Sequence, residues 1–181
     1  NARNAIRGSC NVYFSRLADR LNERNLQEWL FRFGFGRAVL PGPNLDDYAA
    51  ELDREKGIDR NLPQSTGLIS LLRPRGPVQS IEDIPTIGHN GENRFMGIGQ
   101  GSFWATVLQG ANGIAAIARG GIYKNPRLFV EEGDPQNESE QIDLGLFKYT
   151  LTTLRDGMNA VVYKAGGTAH EAYQNSRLKE G

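Results

Sequence analysis

Apolar residues recur at helical spacing in several stretches of the chain. Phe14, Leu17, Ala18 and Leu21 lie at i, i+3, i+4 and i+7, which predicts a helix over residues 11–21. Leu26, Trp29, Leu30 and Phe33 repeat that spacing over 26–33, and Gly34 and Gly36 end it. The strongest pattern covers 102–119. There Phe103, Val107, Ala111, Ile114 and Ala118 form one face, widened by Trp104, Leu108 and Ala115. Small residues such as Gly110, Gly113 and Ala116 allow close packing, and Gly120-Gly121 closes the element. This helix is expected to be the most buried element, so Ile114→Ala is expected to cost roughly 2–5 kcal/mol. A last long helix is predicted over 141–158, with Phe147, Leu151, Leu154 and Met158 as its stripe. After the Gly166-Gly167 turn, Thr168 is placed to N-cap a short helix starting at Ala169.

The intervening segments carry weaker patterns. Residues 40–44 read as a loop and 46–56 as an exposed helix. From 57 to 96 turn formers dominate, so this stretch is expected to be a long surface excursion with one short helix and no second core. Residues 122–130 are extended and broken by Pro126, and 131–140 form an acidic, solvated loop. The chain is therefore expected to be mainly α, with little strand.

Composition narrows the function classes. Lys+Arg and Asp+Glu are equal at 21 each, so the net charge is zero, and no basic face points to nucleic acid. The single cysteine, Cys10, excludes an internal disulfide. With only His89 and His170 beside it, no zinc-ligand spacing exists, so neither a metal nor a cofactor is expected. No apolar run approaches a membrane span. The opening pair Asn1-Ala2 reads like the scar of a cleaved expression tag and is set aside, leaving 3–181 as the folded unit of an excised piece.

Candidate chemistry centres on Ser9-Cys10-Asn11, just before the first predicted helix. A hydroxyl and a carboxamide two positions apart can face one cleft. The first relays a proton, and the second holds a substrate amide. Both residues are also good helix caps, the commoner use of such a tripeptide. Cys10 is expected to be a small buried thiol, since a nucleophile needs a His base in context. Gly97-Ile98-Gly99-Gln100-Gly101 imitates a phosphate loop. It lacks the lysine of one motif, and Ser102 stands where the other needs glycine, so it reads as a tight turn. The carboxylate pairs Glu131-Glu132 and Asp46-Asp47 sit in polar, solvated context.

As an ordered series the segments resemble the transpeptidase domain of class B penicillin-binding proteins, especially the elongation-type branch. Ser9-Cys10-Asn11-Val12-Tyr13-Phe14 with Leu17-Ala18 is similar to that family's Ser-x-Asn motif and the helix it opens. Phe33-Gly34-Phe35-Gly36 resembles a following glycine turn. Ile98-Gly99-Gln100-Gly101, Thr106, Leu108-Gln109, Ala111-Asn112, Ala115-Ala116-Ile117-Ala118 and Gly120-Gly121 resemble its most recognisable non-catalytic signature. Met158, Val161-Val162 and Gly167-Thr168-Ala169 look like the approach to its third motif. The resemblance runs from about Arg3 to Gly181. Val107 replaces a customary proline, and about 61–93 matches no family pattern. The family's Ser-x-x-Lys motif would precede Ser9, and its Lys-Thr-Gly motif would follow Gly181. Lys164-Ala165-Gly166 only imitates the latter.

The resemblance implies an α+β penicillin-binding/β-lactamase-like fold, an antiparallel sheet flanked by helices, of which this chain holds mostly the helical part. It implies peptidoglycan D,D-transpeptidation through a serine acyl-enzyme, with stem peptides and β-lactams as ligands and cell-wall synthesis proteins as partners. Ser9 would relay a proton and Asn11 would hold the bound amide. The parent would be membrane-anchored and face the cell-wall space, and the piece alone would be inactive. A penicillin-binding-like scaffold that has lost catalysis, and an unrelated helical interaction domain, are the alternatives.

Overall fold

The structure is a computed structural model that describes residues 1–38, 66–75, 78–86, 91–126 and 141–176. Among the described residues seven α-helices and two short strands follow in order: α1 (Ala2–Arg7), α2 (Asn11–Arg20), α3 (Glu23–Arg32), a 3-10 turn (Ile81–Asp83), α4 (Glu92–Met96), α5 (Val107–Ala118), β1 (Ile122–Lys124), β2 (Gln141–Asp143), α6 (Lys148–Tyr163) and α7 (His170–Gln174). The mainly helical reading holds. The two strands pair antiparallel, with Tyr123 opposite Ile142.

Helix α1 lies against α6 and α2, α2 against α4, and α5 against β1 and α6. Ile6 of α1 packs into the space left by Gly157, where an added Cβ would sit 2.9 Å from the isoleucine. At Gly97, beyond α4, any Cβ would collide with the Cβ of Ala18, so the glycine is what lets α4 approach α2. Asn1 and Ala2, set aside in the sequence reading, are built into α1: Asn1 Oδ1 accepts the Asn4 N–H at 3.0 Å.

The first two predicted helices form at nearly the expected places, α3 starting earlier behind an Asn22 cap. The strongest predicted helix differs. Its N-terminus is at Val107 and not 102, because Thr106 and Gln109 close a capping box there. Trp104 instead pairs as extended chain with Leu68. The helix is also turned inside out relative to its apolar stripe. Val107 is 92% and Ile114 53% exposed, while Gln109, Asn112, Gly113 and Ala116 face inward.

Backbone demand explains this inversion. Gln109 is 1% exposed, and its Nε2 lies 3.2, 3.0 and 2.9 Å from the carbonyl oxygens of Gly34, Arg37 and Thr66. Asn112 Nδ2 donates to the Lys124 carbonyl at 2.9 Å. Loop carbonyls buried without a donor are costly, and carboxamides on one helix face meet that need.

Two further expectations are corrected. Residues 141–143 are strand and not helix. Gly145, at φ +66, then donates its N–H to Asp143 Oδ1 at 2.8 Å, and α6 begins only at Lys148. The 57–96 stretch is no mere surface excursion where it is described, for Ile69, Ser70, Ile84 and Met96 are buried. Gln27, also buried, donates to the carbonyls of Ile69 and Pro85 at 2.8 and 2.9 Å, pinning this stretch to α3. The predicted helix at 46–56 and the acidic loop at 131–140 lie outside the described residues.

Gln109→Ala is expected to lower unfolding free energy by roughly 2–4 kcal/mol, since buried carbonyls lose their donor. Ile114→Ala, at a half-exposed position, is expected to cost less than about 1 kcal/mol in this chain. Denaturant melts of both variants check this, and a reversed order would place the core on the apolar stripe after all.

Candidate functional site

Ser9 and Asn11 sit where α1 hands over to α2. The chain leaves α1 through Gly8, and the turn is held by backbone bonds: Ser9 N–H to Ile6 O at 3.2 Å and Cys10 N–H to Ala5 O at 2.9 Å. Ser9 has φ +49, the left-handed region that non-glycine residues seldom occupy and the only such residue among those described. Asn11 is the first residue of α2, and Cys10 occupies the N-cap with no side-chain capping bond. Neither Ser9 nor Asn11 spends its side chain on capping: both are exposed, and neither side chain has a hydrogen bond among the described residues.

Cys10 is exposed, against the expectation of a buried thiol, for it sits at the N-cap of α2 and not on a packed helix face. His170 lies in α7, where its Nδ1 is 3.0 Å from the Val162 carbonyl. Thr168 does not cap that helix; Ala169 is its N-cap, without a side-chain bond. Thr168 instead donates its backbone N–H to the Arg7 carbonyl at 3.2 Å. This bond brings Gly167-Thr168-Ala169 to the end of α1, two residues before Ser9.

Asn11 opens onto a groove of about 410 Å³ that it lines with Val12, Ser15, Arg16, Asp19, Arg94 and Ile98. The far wall comes from α4 and the turn after it. Arg94 grips Asp19 with two bonds, Nε to Oδ1 at 2.7 Å and NH2 to Oδ2 at 2.9 Å. That hydrogen bonding, more than the charge attraction, holds the Asp19 carboxyl below its ordinary value. Asn93, buried beside it, donates to the Ala18 carbonyl at 3.1 Å. Of these residues the sequence reading named Asn11 as a site residue and Ile98 only within the glycine run; Ser15 and Arg94 carried no signal, since only tertiary packing brings α4 to α2. The glycine turn at 97–101 follows a short helix and no strand, with Gly99 and Gly101 at φ +71 and +68, and Glu92 Oε1 accepts the Ser102 N–H at 2.6 Å. Among the described residues no three His, Cys, Asp or Glu side chains group as metal ligands, and no helix is long and apolar enough to cross a membrane.

The model of the penicillin binding protein transpeptidase domain matches residues 1–179. The chain belongs to the penicillin-binding transpeptidase family. Solved structures agree on the fold. Penicillin-binding protein PBP2 from Helicobacter pylori superposes with a TM-score of 0.66 at 24% identity, over 98% of this chain and 29% of that one. The same protein in complex with MreC gives 0.62 at 24% identity, over 98% and 28%. A peptidoglycan glycosyltransferase from Burkholderia ambifaria gives 0.60 at 18% identity, over 94% and 42%. No curated protein sequence matches. The chain thus spans about three tenths of the H. pylori chains, and its helices with their two-stranded sheet correspond to part of the penicillin-binding transpeptidase fold.

The Asp19–Arg94 clamp is testable by titration. Because the folded pKa of Asp19 is lowered, its contribution is present at neutral pH and is lost as pH falls through that lowered value. Arg94→Ala should move the Asp19 midpoint, followed by NMR, up toward an ordinary carboxylate; an unmoved midpoint would show that the clamp is not formed in solution.

Proposed function

We propose that these residues form part of a peptidoglycan D,D-transpeptidase of the elongation-type branch, with Ser9 and Asn11 as its Ser-x-Asn motif. The observation that carries this reading is the state of those two side chains. Both are exposed and unspent at the turn into α2, and Asn11 lines a groove, while backbone groups alone hold the turn. A capping pair would have used its oxygens on the first helical N–H groups.

In this scheme a serine from a Ser-x-x-Lys motif outside residues 1–181 attacks the D-alanyl-D-alanine carbonyl of a stem peptide. The peptide C–N bond breaks, an ester to the serine forms, and the departing D-alanine amine takes up a proton relayed through the Ser9 hydroxyl. The amine of a second stem peptide then attacks the ester, forming the cross-link and returning the proton to the serine. Asn11 donates to and accepts from the bound amide, fixing its carbonyl for attack. β-Lactams enter by the same route and stay as the acyl form. The family membership supports this chemistry, and the contact of Thr168 with Arg7 supports a site where the approach to a third motif meets Ser9 and Asn11. The parent is membrane-anchored, faces the cell-wall space and works with other cell-wall synthesis proteins.

Fluorescent penicillin is expected to leave the 181-residue chain unlabelled and to label the parent. In the parent, Asn11→Ala should slow acylation by about 10–100-fold, the worth of roughly 1.4–2.7 kcal/mol of transition-state binding, with the melting temperature nearly unchanged. If acylation is untouched and stability falls by about 1 kcal/mol, Asn11 is a helix residue and nothing more. A parent that takes no penicillin at all would be a scaffold of this fold and not an enzyme.

A further inference from the structure

The groove at Asn11 carries an unbalanced charge. Of the described side chains that line it, three are ionic: Arg16, Asp19 and Arg94. Asp19 and Arg94 neutralise each other through their two bonds at 2.7 and 2.9 Å. Arg16 is exposed and has no hydrogen bond or ion pair among the described residues. The whole chain is neutral, with 21 basic and 21 acidic residues, so this cation is a local excess and not a sample of a basic surface. The Ser15 hydroxyl beside it is likewise unbonded among the described residues. Both groups can donate, and the carboxylate that could have met them is already held by Arg94. Val12 and Ile98 give the groove an apolar wall.

We infer that Arg16 sets substrate specificity by binding a carboxylate on the stem-peptide residue ahead of the D-alanyl-D-alanine pair. The inference rests on the transpeptidase reading, in which Asn11 holds the bound amide. Asn11 and Arg16 stand five residues apart on one helix, about 7.5 Å along its axis at roughly 1.5 Å per residue. An extended peptide advances roughly 3.3 Å per residue, so the side chain of a residue next to the bound amide comes level with Arg16. A guanidinium meets a carboxylate through two parallel N–H···O bonds, and it repels an ammonium at the same place. The groove therefore sorts stem peptides by charge: it takes a side chain that ends in a carboxylate over one that ends only in an ammonium. Val12 and Ile98 suit the methylene groups that lead to that carboxylate.

Two penicillins that differ in one group test this on the full-length parent. One carries a glutaryl side chain and the other a pentanoyl side chain of equal length, each standing in for the residue ahead of the D-alanine pair. The second-order acylation rate constant is measured for both, and their ratio is the readout. The unsubstituted parent is expected to favour the glutaryl probe by about three- to tenfold. Arg16→Gln should bring the ratio to about one, Arg16→Lys should keep part of the preference, and Arg16→Glu should reverse it. Arg20→Gln removes the same charge from an exposed position of α2 outside the groove lining, and it should keep the ratio. A ratio near one in the unsubstituted parent, or a preference that survives Arg16→Gln, overturns the assignment of Arg16 and leaves the transpeptidase reading standing. An equal loss in Arg20→Gln also overturns it, because overall charge and not a contact would then be acting. A parent acylated by neither probe overturns the transpeptidase reading and this inference with it. Should Arg16→Gln fail to fold, Arg16→Glu carries the test: a ratio below one supports the assignment, and an unchanged ratio overturns it.

Discussion

The carboxamide of Gln109 is the point on which the rest of the helical unit depends. Its oxygen accepts the Thr106 N–H and so starts α5; its nitrogen faces three carbonyls from the turn after α3 and from the chain near Leu68. An amide nitrogen has two hydrogens, so three acceptors at this range imply a shared bond and leave little freedom to the side chain. In a site shielded from water such bonds are strong, and a missing partner is costly, which ties helix, turn and loop into one cooperative piece. Gln27 and Asn93 repeat the device at smaller scale, the first holding loop carbonyls to α3 and the second holding α4 to the end of α2.

This polar lattice determines how the candidate site is presented. Helix α2 is gripped along its far end by α4, through Asn93, the Arg94–Asp19 clamp and the close approach of Gly97 to Ala18. Its near end meets α1, which is seated on α6 through Ile6 and Gly157. The turn between α1 and α2 therefore needs no help from Ser9 or Asn11, whose side chains are exposed and make no hydrogen bond among the described residues. The left-handed φ of Ser9 belongs to the same arrangement: a strained residue persists where its neighbours over-determine the chain path.

Periodicity alone made α2 and α3 legible, because each shows a short stripe bounded by a cap or a glycine turn. It failed at α5 for a definite reason. The residues that decide which side is inside are Gln109 and Asn112, and their partners lie at residues 34, 37, 66 and 124, out of reach of any local window. The apolar stripe was real, but it falls on the exposed side of the helix, at Val107 and Ile114. Ile69, Ile84 and Met96 were hidden for the opposite reason, being single apolar residues in turn-rich sequence that tertiary contacts bury one at a time. At residues 141–143 the deciding event was pairing with β1 across a long separation. The site divides similarly. Ser9 and Asn11 were singled out from a resemblance to a motif, whereas Arg94 and Ile98 join the groove only through the packing of α4 on α2.

The central claim is that Gln109 is locked in a dry, multiply bonded setting that fixes the inward face of α5. The side-chain amide protons of this one residue report on it directly by NMR. They should give two well separated signals that exchange with solvent at least about a hundredfold more slowly than those of exposed Gln100 or Gln141, since exchange must wait for the surrounding structure to open. Averaged signals exchanging at the rate of those exposed glutamines would contradict the account.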